Sequence, residues 1–435
     1  MSAIPAHTTH GGDGHGRHDP DPRVDELLNR VQRPALLAAA AGLILLLVGL
    51  VIHKSQAFFQ AYLYAYLFWT GIALGCFSIL MLAHLVGGRW GAVIRRPLES
   101  GARLLPLMAV LFIPVVIGMY SGLYEWNHAD WRASHSGDLM WFKLWWLSPT
   151  GFIVRAVIYF LIWIGLMLRL TRWGDEQDLT ADPLLFRRMQ TSSGPGLVIY
   201  VATMTLASFD WAMSLEPDWY STIWGLLFVV AQALGTLALV IALLALLAER
   251  RPFAGVLTIP IFHDLGNLLM AFTMLWAYIS FSQYLLIWSA NLPEEASHYV
   301  ARTNGGWKYV ALALVIFHFF IPFLLLLWRK TKRTVRWLAT VAGWLLFMRL
   351  VDLFWVIGPS FAAHGPGHGS HSLANAAAVG SPEVGLHGWW HAWMFPAAAA
   401  AIGGLFVFAF VWQLRRRPLL PLNDPRLLAA AGGHH

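Results

Sequence analysis

A long apolar segment, residues 262–288, contains a row of side chains that could accept or donate protons. Four of them fall within about 60° of one another on a helix that turns about 100° per residue: Asp264, Asn267, Tyr278 and Ser282. The same segment also carries His263 and Gln283. Charge in hydrocarbon costs a few kcal/mol or more, so such residues usually face the interior of a helical bundle. The row predicts either polar contacts between helices or part of a proton path.

Ionisable residues inside three other apolar segments extend this pattern. Arg349 and Asp352 are i,i+3 neighbours on one helix face, where a buried pair would cost far less than either charge alone. Asp210 lies about 22 Å along its own segment, and His318 lies about 17 Å along another, near the middle. The sequence therefore places charged groups at several depths.

Together these residues predict one interrupted proton route. Its inner entry would be His263 and Asp264. Its outer group would be Asp210, Arg349 and Asp352. His318 would bridge the apolar interruption at residues 271–275, because an imidazole can both accept and donate a proton near neutral pH. The alternative is structural: a hydrogen-bonded histidine and a fixed ion pair.

The chain is not expected to bind a redox cofactor or a metal by itself. Its single cysteine, Cys76, excludes internal disulfides, a covalent c-type haem and a self-ligated iron–sulfur cluster. Haem b needs two histidines at matching depth. Only His84 and His263 match in depth, and His263 adjoins a carboxylate, so we expect no haem there. His387 and His391 have i,i+4 spacing but no acidic or thiol companion at that spacing.

The composition is that of a polytopic membrane protein. Of 435 residues, 58% are hydrophobic and only 12% are charged. The first residues are polar and rich in His and Gly, so no signal peptide is evident. Residues 1–33 are predicted to form a disordered tail, 34–414 a membrane domain and 415–435 a second tail. The net charge of +7 does not indicate nucleic acid binding, because the basic residues lie at helix ends.

The apolar pattern predicts an all-α fold with ten transmembrane helices. They cover residues 34–52, 62–86, 104–122, 150–170, 195–215, 222–247, 262–288, 307–328, 334–357 and 389–414. Twenty-three of the 30 Lys and Arg residues fall on one side of this arrangement. Both termini are therefore predicted in the cytoplasm.

Three segments resemble one of the NrfD-like membrane subunits of bacterial alternative complex III, which is similar to the NrfD/PsrC group of quinone-interacting membrane proteins. They are residues 207–225 (ASFDWAMSLEPDWYSTIWG), 263–288 with NLPEE at 291–295 (HDLGNLLMAFTMLWAYISFSQYLLIW), and 348–359 (MRLVDLFWVIGP). The resemblance covers nearly the whole chain and matches the ten-span layout. The N-terminal tail and the low-complexity loop 363–380 are not covered.

The resemblance implies two four-helix bundles, formed by spans 2–5 and 6–9, with spans 1 and 10 outside them. It implies a quinol:electron-acceptor oxidoreductase, with cytochrome c or a similar acceptor, in the bacterial cytoplasmic (inner) membrane. Periplasmic iron–sulfur and haem c subunits would carry the electrons, beside a sister NrfD-like subunit and the membrane lipids. Quinone or quinol is the ligand that the resemblance allows for this subunit itself.

The function expected from the sequence is therefore that of a membrane subunit of a quinol-oxidising respiratory complex. It would contribute a transmembrane proton route and a quinone pocket, with its partners docked on the outer loops 123–149 and 289–306. A secondary transporter would also place ionisable groups at mid-depth, although no two spans in corresponding halves are interrupted by Gly and Pro. A purely structural scaffold within the complex is the third possibility.

Overall fold

The computed structural model describes residues 22–135, 141–362, 391–421, 423–424 and 426–427. Across those residues the chain is helical and contains no strand, and ten helices are long and apolar enough to cross a membrane. The all-α, ten-span prediction is confirmed. His387, the loop 363–380 and most of both predicted tails lie outside the described residues.

The spans begin and end close to charged or aromatic residues. In chain order, spans 1 to 10 are Val24–His53, Ser55–Val86, Arg89–Tyr120, Pro149–Thr180, Pro183–Leu215, Trp224–Leu247, Ile259–Ala290, Trp307–Leu327, Val335–Phe361 and Met394–Arg415. Shorter helices between them are Glu125–Asn127, Ala129–Ser134, Trp141–Trp146, Pro293–Thr303 and Arg329–Arg333. Proline at the first turn and a side-chain cap start two of the spans: Ser148 caps span 4 and Asp182 caps span 5.

Spans 1 and 2 form a hairpin although their residues are helical without interruption. Span 10 packs against both. Gly404 lies against Ala35 and Gly49 against Met394, so spans 1 and 10 run in opposite directions. Trp69, further along span 2, donates to the carbonyl of Ala399 at 2.9 Å. The nine-residue loop predicted at 53–61 is therefore replaced by an abrupt reversal between the two spans.

Spans 2–5 pack as one four-helix bundle and spans 6–9 as a second, with spans 1 and 10 outside, as expected. The bundles meet where span 6 lies against spans 2 and 5. Gly75 permits this close approach, because a Cβ there would collide with the backbone of Gln232. At the same crossing the Thr236 hydroxyl donates to the carbonyl of Ile72 at 3.1 Å.

Both ends of the membrane domain lie on one side. Arg415, at the end of span 10, contacts Asn29 at 2.6 Å and Asp25 at 3.3 Å, near the start of span 1. This side is called the terminal side below, and the other the far side.

Four spans extend further on the terminal side than their hydropathy predicts. Span 1 starts at Val24 instead of 34, so the end of the predicted N-terminal tail is helical. Span 3 starts at Arg89 instead of 104, span 4 ends at Thr180 instead of 170, and span 5 starts at Pro183 instead of 195. Charged residues lower the hydropathy of the additional helical turns, yet several of these charged side chains are buried against one another. Arg95 and Arg96 are fully covered and pair with Glu99, so this predicted loop is a packed helix.

Span 8 contains a local widening of the helix. Its middle part, Leu314–Phe320, is a π-helix between the α-helices Trp307–Ala313 and Ile321–Leu327. Pro322 has no N–H, and its ring crowds the carbonyl four residues earlier, that of His318. The lost i,i+4 bond explains why the wider turn forms here. Such turns occur frequently at functional sites.

Candidate functional site

Arg349 and Asp352 form a buried ion pair within span 9, as their i,i+3 spacing predicts. Asp352 accepts a second hydrogen bond from the indole Nε1 of Trp276 on span 7, at 3.1 Å. A buried ion pair is tolerated when further hydrogen bonds satisfy its free oxygen atoms. Trp276 supplies that bond, and it ties span 9 to span 7.

His318 lies on the other face of the same tryptophan. The rings of His318 and Trp276 are stacked, with centroids 4.1 Å apart and an angle of 18° between their planes. His318 is fully buried, and among the described residues neither ring nitrogen has a hydrogen-bond partner. Burying a polar atom without a partner costs about 1–3 kcal/mol of folding free energy. Because neither ring nitrogen is hydrogen-bonded to a described residue, His318 can accept or donate a proton without first breaking such a bond.

A small cavity connects this cluster to the other bundle. It has a volume of about 10 Å³ and is lined by Arg349, Gln232 and apolar residues of spans 2 and 6. Gln232, one of the lining residues, accepts a hydrogen bond at its Oε1 from Tyr200 of span 5, at 2.6 Å. This volume is close to the least that holds one water molecule. A quinone ring is far larger, so the cavity does not fit that ligand.

The structure thus brings together three of the predicted residues, His318, Arg349 and Asp352, through one tryptophan. We call these four residues the Trp276 cluster. Nothing in the sequence singles out Trp276 among 23 tryptophans. Aromatic residues in membrane proteins are usually assigned to the interfaces, and this one lies halfway along span 7.

The row of polar residues on span 7 does not face the bundle interior as expected. The Asp264 side chain is 56% exposed and Tyr278 is 68% exposed. The 100° rule correctly groups residues on one face but does not say which face is covered. Leu269, Thr273 and Trp276 occupy the covered face instead.

The remaining members of the row are dispersed. Asn267 accepts a hydrogen bond from Lys332 at 2.7 Å, and His263 lies within 3.3 Å of Asn267. Gln283 is buried and donates to Ser221 at 3.2 Å, while Ser282 is half-buried. These contacts join neighbouring segments, and each can be explained as helix packing.

Asp210 belongs to a different group from Arg349 and Asp352. It lies in the first bundle, where Arg155 of span 4 donates to both of its oxygen atoms at 2.9 and 2.8 Å. Tyr159 donates to Asp210 Oδ2 at 3.0 Å. Asp210 is therefore paired with Arg155 in the first bundle, whereas Asp352 is paired with Arg349 in the second. The signal that could have found this pair is Arg155 itself, a charge inside an apolar segment that requires a partner.

A second buried cluster on the far side was not predicted. Glu216, after span 5, contacts His298 and Arg302, each at 2.8 Å, both on the helix Pro293–Thr303. Arg302 also donates to Ser360 at 3.0 Å, and the His298 ring stacks on Trp219 at 3.8 Å. The cluster fixes the far-side helix against the ends of spans 5 and 9.

Burial and ionic contacts shift the titration of this cluster. Burial and the positive charge of Arg302 lower the pKa of His298 to about 4, although Glu216 opposes them. Burial raises the pKa of Glu216, but the charges of Arg302 and His298 outweigh it and hold that pKa below its usual range. At neutral pH, Glu216 is ionised and His298 is neutral.

Each described histidine that was considered as a ligand has another neighbour in the fold. His84 on span 2 contacts Ser193 at 3.1 Å in the first bundle, whereas His263 opens span 7 in the second. His391 lies beside His53, with ring centroids 6.3 Å apart. Within the described residues, no three His, Cys, Asp or Glu side chains are arranged to hold a metal ion.

No protein-family model matches this chain, and no curated protein matches it at a significant level.

Proposed function

We propose that this chain is a membrane subunit of a quinol-oxidising respiratory complex and that the Trp276 cluster moves protons through the middle of the membrane. The observation that carries the proposal is His318, fully buried on a π-helical turn with no hydrogen-bond partner among the described residues. Its ring stacks on Trp276, and the indole N–H of Trp276 donates to Asp352 of the buried Arg349–Asp352 pair.

The resemblance of residues 207–225, 263–295 and 348–359 to an NrfD-like membrane subunit of alternative complex III supports the assignment to a complex. The last two of these segments contain Trp276, Arg349 and Asp352. A chain with one buried cysteine, Cys76, cannot ligate an iron–sulfur cluster by itself. In this proposal the electrons move through partner subunits with iron–sulfur clusters and haem c, on the periplasmic side, and both termini are cytoplasmic.

The proposed route starts at the exposed Asp264 on the terminal side. From Asn267 to Trp276 the axial rise is about 13 Å, and Thr273 is the one hydroxyl of span 7 between them; it donates to the carbonyl of Leu269. Proton transfer needs groups within hydrogen-bond reach, so water has to complete this section. His318 then exchanges the proton near mid-depth, and the cavity beside Arg349 allows a water molecule to continue the path.

The test is proton movement during quinol oxidation by the purified complex in vesicles. We expect His318→Leu and Asp264→Asn to assemble normally and to lower proton movement by about tenfold or more. Asp352→Asn should also impair assembly, because it leaves Arg349 without its buried partner. Tyr278→Phe, on the exposed face of the same span as Trp276, is the matched control and should behave like the wild type.

Two outcomes would contradict the proposal. If His318→Leu and Asp264→Asn both assemble with unchanged turnover and proton movement, these residues only pack helices, as in a scaffold. If the chain purifies without any c-haem absorbance from partner subunits and still moves a solute, it is a transporter.

A further inference from the structure

The segment between spans 8 and 9, with the first turn of span 9, presents four basic side chains on the terminal side. Arg329, Lys330, Arg333 and Arg336 are exposed, and none forms an ion pair with any described residue. Two exposed tryptophans flank them, Trp328 with 67% and Trp337 with 57% of its surface accessible. We call the four basic residues the basic rim.

Several other terminal-side arginines, in the first bundle and the C-terminal segment, are paired with carboxylates instead. Their carboxylate partners come from spans 3 and 4 and from the C-terminal segment. The pairs are Arg95 and Arg96 with Glu99, Arg95 and Arg426 with Asp424, Arg96 with Asp178, and Arg103 and Arg417 with Asp175. The charges of these paired arginines are neutralised within the fold, whereas the side chains of the basic rim face outward.

The basic rim is held in a fixed position. Lys332, in the middle of the segment, is buried and donates to Asn267 on span 7 at 2.7 Å. Its side chain packs directly on Gly266. The nearby carboxylate on span 7, Asp264, forms no ion pair with the rim and has His263 as its contact, at 4.0 Å. The four positive charges of the rim thus have no carboxylate partner among the described residues.

We propose that the basic rim binds the headgroups of anionic phospholipids. The rim lies directly between the ends of two membrane-spanning helices, at the level of the headgroups, and exposed tryptophans are typical of that level. Groups of four or more Lys and Arg next to a membrane helix attract anionic lipids. Arginine suits this ligand because its guanidinium can donate two parallel hydrogen bonds to a phosphate. This inference is independent of the proposed proton route.

One test uses the wild-type chain, full length, in vesicles that contain a photo-crosslinkable phosphatidylglycerol. After irradiation and digestion, the lipid adducts are mapped by mass spectrometry. We expect them to concentrate in residues 328–337. Adducts distributed over all terminal-side basic segments in proportion to exposure would overturn the proposal, and so would preferential crosslinking of the rim to a co-purified acidic protein.

A second test compares two variants that each remove two exposed charges from the terminal side. Arg329→Gln/Arg333→Gln weakens the rim, and Arg187→Gln/Arg188→Gln removes a pair at the start of span 5. Native mass spectrometry then measures phosphatidylglycerol retention against phosphatidylcholine. We expect the rim variant to retain about tenfold less phosphatidylglycerol and the control to change by less than about twofold. Equal losses in both variants would mean that only net charge matters, which contradicts a specific site.

Discussion

The indole of Trp276 lies against the imidazole of His318, with their centroids 4.1 Å apart. The same indole donates its N–H to Asp352 at 3.1 Å. A single side chain therefore sets both the position of the buried histidine and the hydrogen bonding of the buried carboxylate. The two roles can be separated, because one depends on the ring face and the other on the N–H group.

Trp276→Phe should keep the ring contact with His318 and remove the hydrogen bond to Asp352. We expect a folded, assembled complex that has lost about 1.5–3 kcal/mol of stability, the usual value for a hydrogen bond to a charged group. Proton movement should fall as well. Trp276→Leu removes both interactions, and its comparison with Trp276→Phe in thermal unfolding and vesicle assays isolates the ring contact. Equal behaviour of Trp276→Phe and the wild type would contradict a positioning role.

Asp210→Asn should destabilise the first bundle strongly. The substitution removes the negative charge that pairs with Arg155, and breaking a buried ion pair on one side costs about 3–5 kcal/mol. Tyr159→Phe removes one hydrogen bond to the same carboxylate and should cost less, about 1.5–3 kcal/mol. Thermal unfolding of the two variants in detergent measures the difference. Similar costs for both would show that the charge of Asp210 is unimportant.

The far-side cluster should make stability depend on pH. The pKa of His298 is about 4 in the folded chain and about 6.5 when unfolded. The unfolded chain therefore binds more protons between these values, so stability is complete above pH 6.5 and falls as the pH drops to about 4. The loss is at most about 3 kcal/mol. Glu216, whose folded pKa is also lowered, acts in the same direction at lower pH.

The measurement is the melting temperature between pH 7.5 and pH 4. His298→Gln should reduce its slope with pH, whereas His128→Gln, an exposed histidine on the same side, should leave the slope unchanged. If both variants retain the wild-type slope, the acid sensitivity originates elsewhere.

Asp424→Asn should weaken the attachment of the C-terminal segment. Asp424 is buried and accepts from Arg95 at 3.2 Å and from Arg426 at 2.7 Å. We expect a loss of about 1.5–3 kcal/mol and faster proteolysis after Arg417. Asp25→Asn, which removes a partly exposed pair with Arg415, should cost less than about 1 kcal/mol. Equal protease resistance of the Asp424 variant and the wild type would contradict this view.

The number of spans and the Arg349–Asp352 pair follow from sequence, because hydropathy and i,i+3 spacing depend on local residues alone. The partner of Asp210 could not be predicted from the sequence in this way, because it depends on how span 4 packs against span 5. The exposure of Asp264 and Tyr278 depends equally on neighbouring helices. The burial of Arg95 was not predicted for a related reason. Each charged residue lowers the local hydropathy, but a buried arginine is stabilised by carboxylates that can lie on distant segments, as Asp424 does for Arg95.

The position of Asp424 has a consequence for biosynthesis. Arg95 enters the chain more than three hundred residues before its partner, and span 10, which packs along spans 1 and 2, is also made last. The first bundle therefore remains incomplete while the second is being translated and inserted. Arg95 on its terminal side obtains the counter-charge of Asp424 only after that residue has been translated. A quality-control system that recognises unpaired charges within the membrane would therefore stop recognising this bundle only after the C-terminal segment has packed.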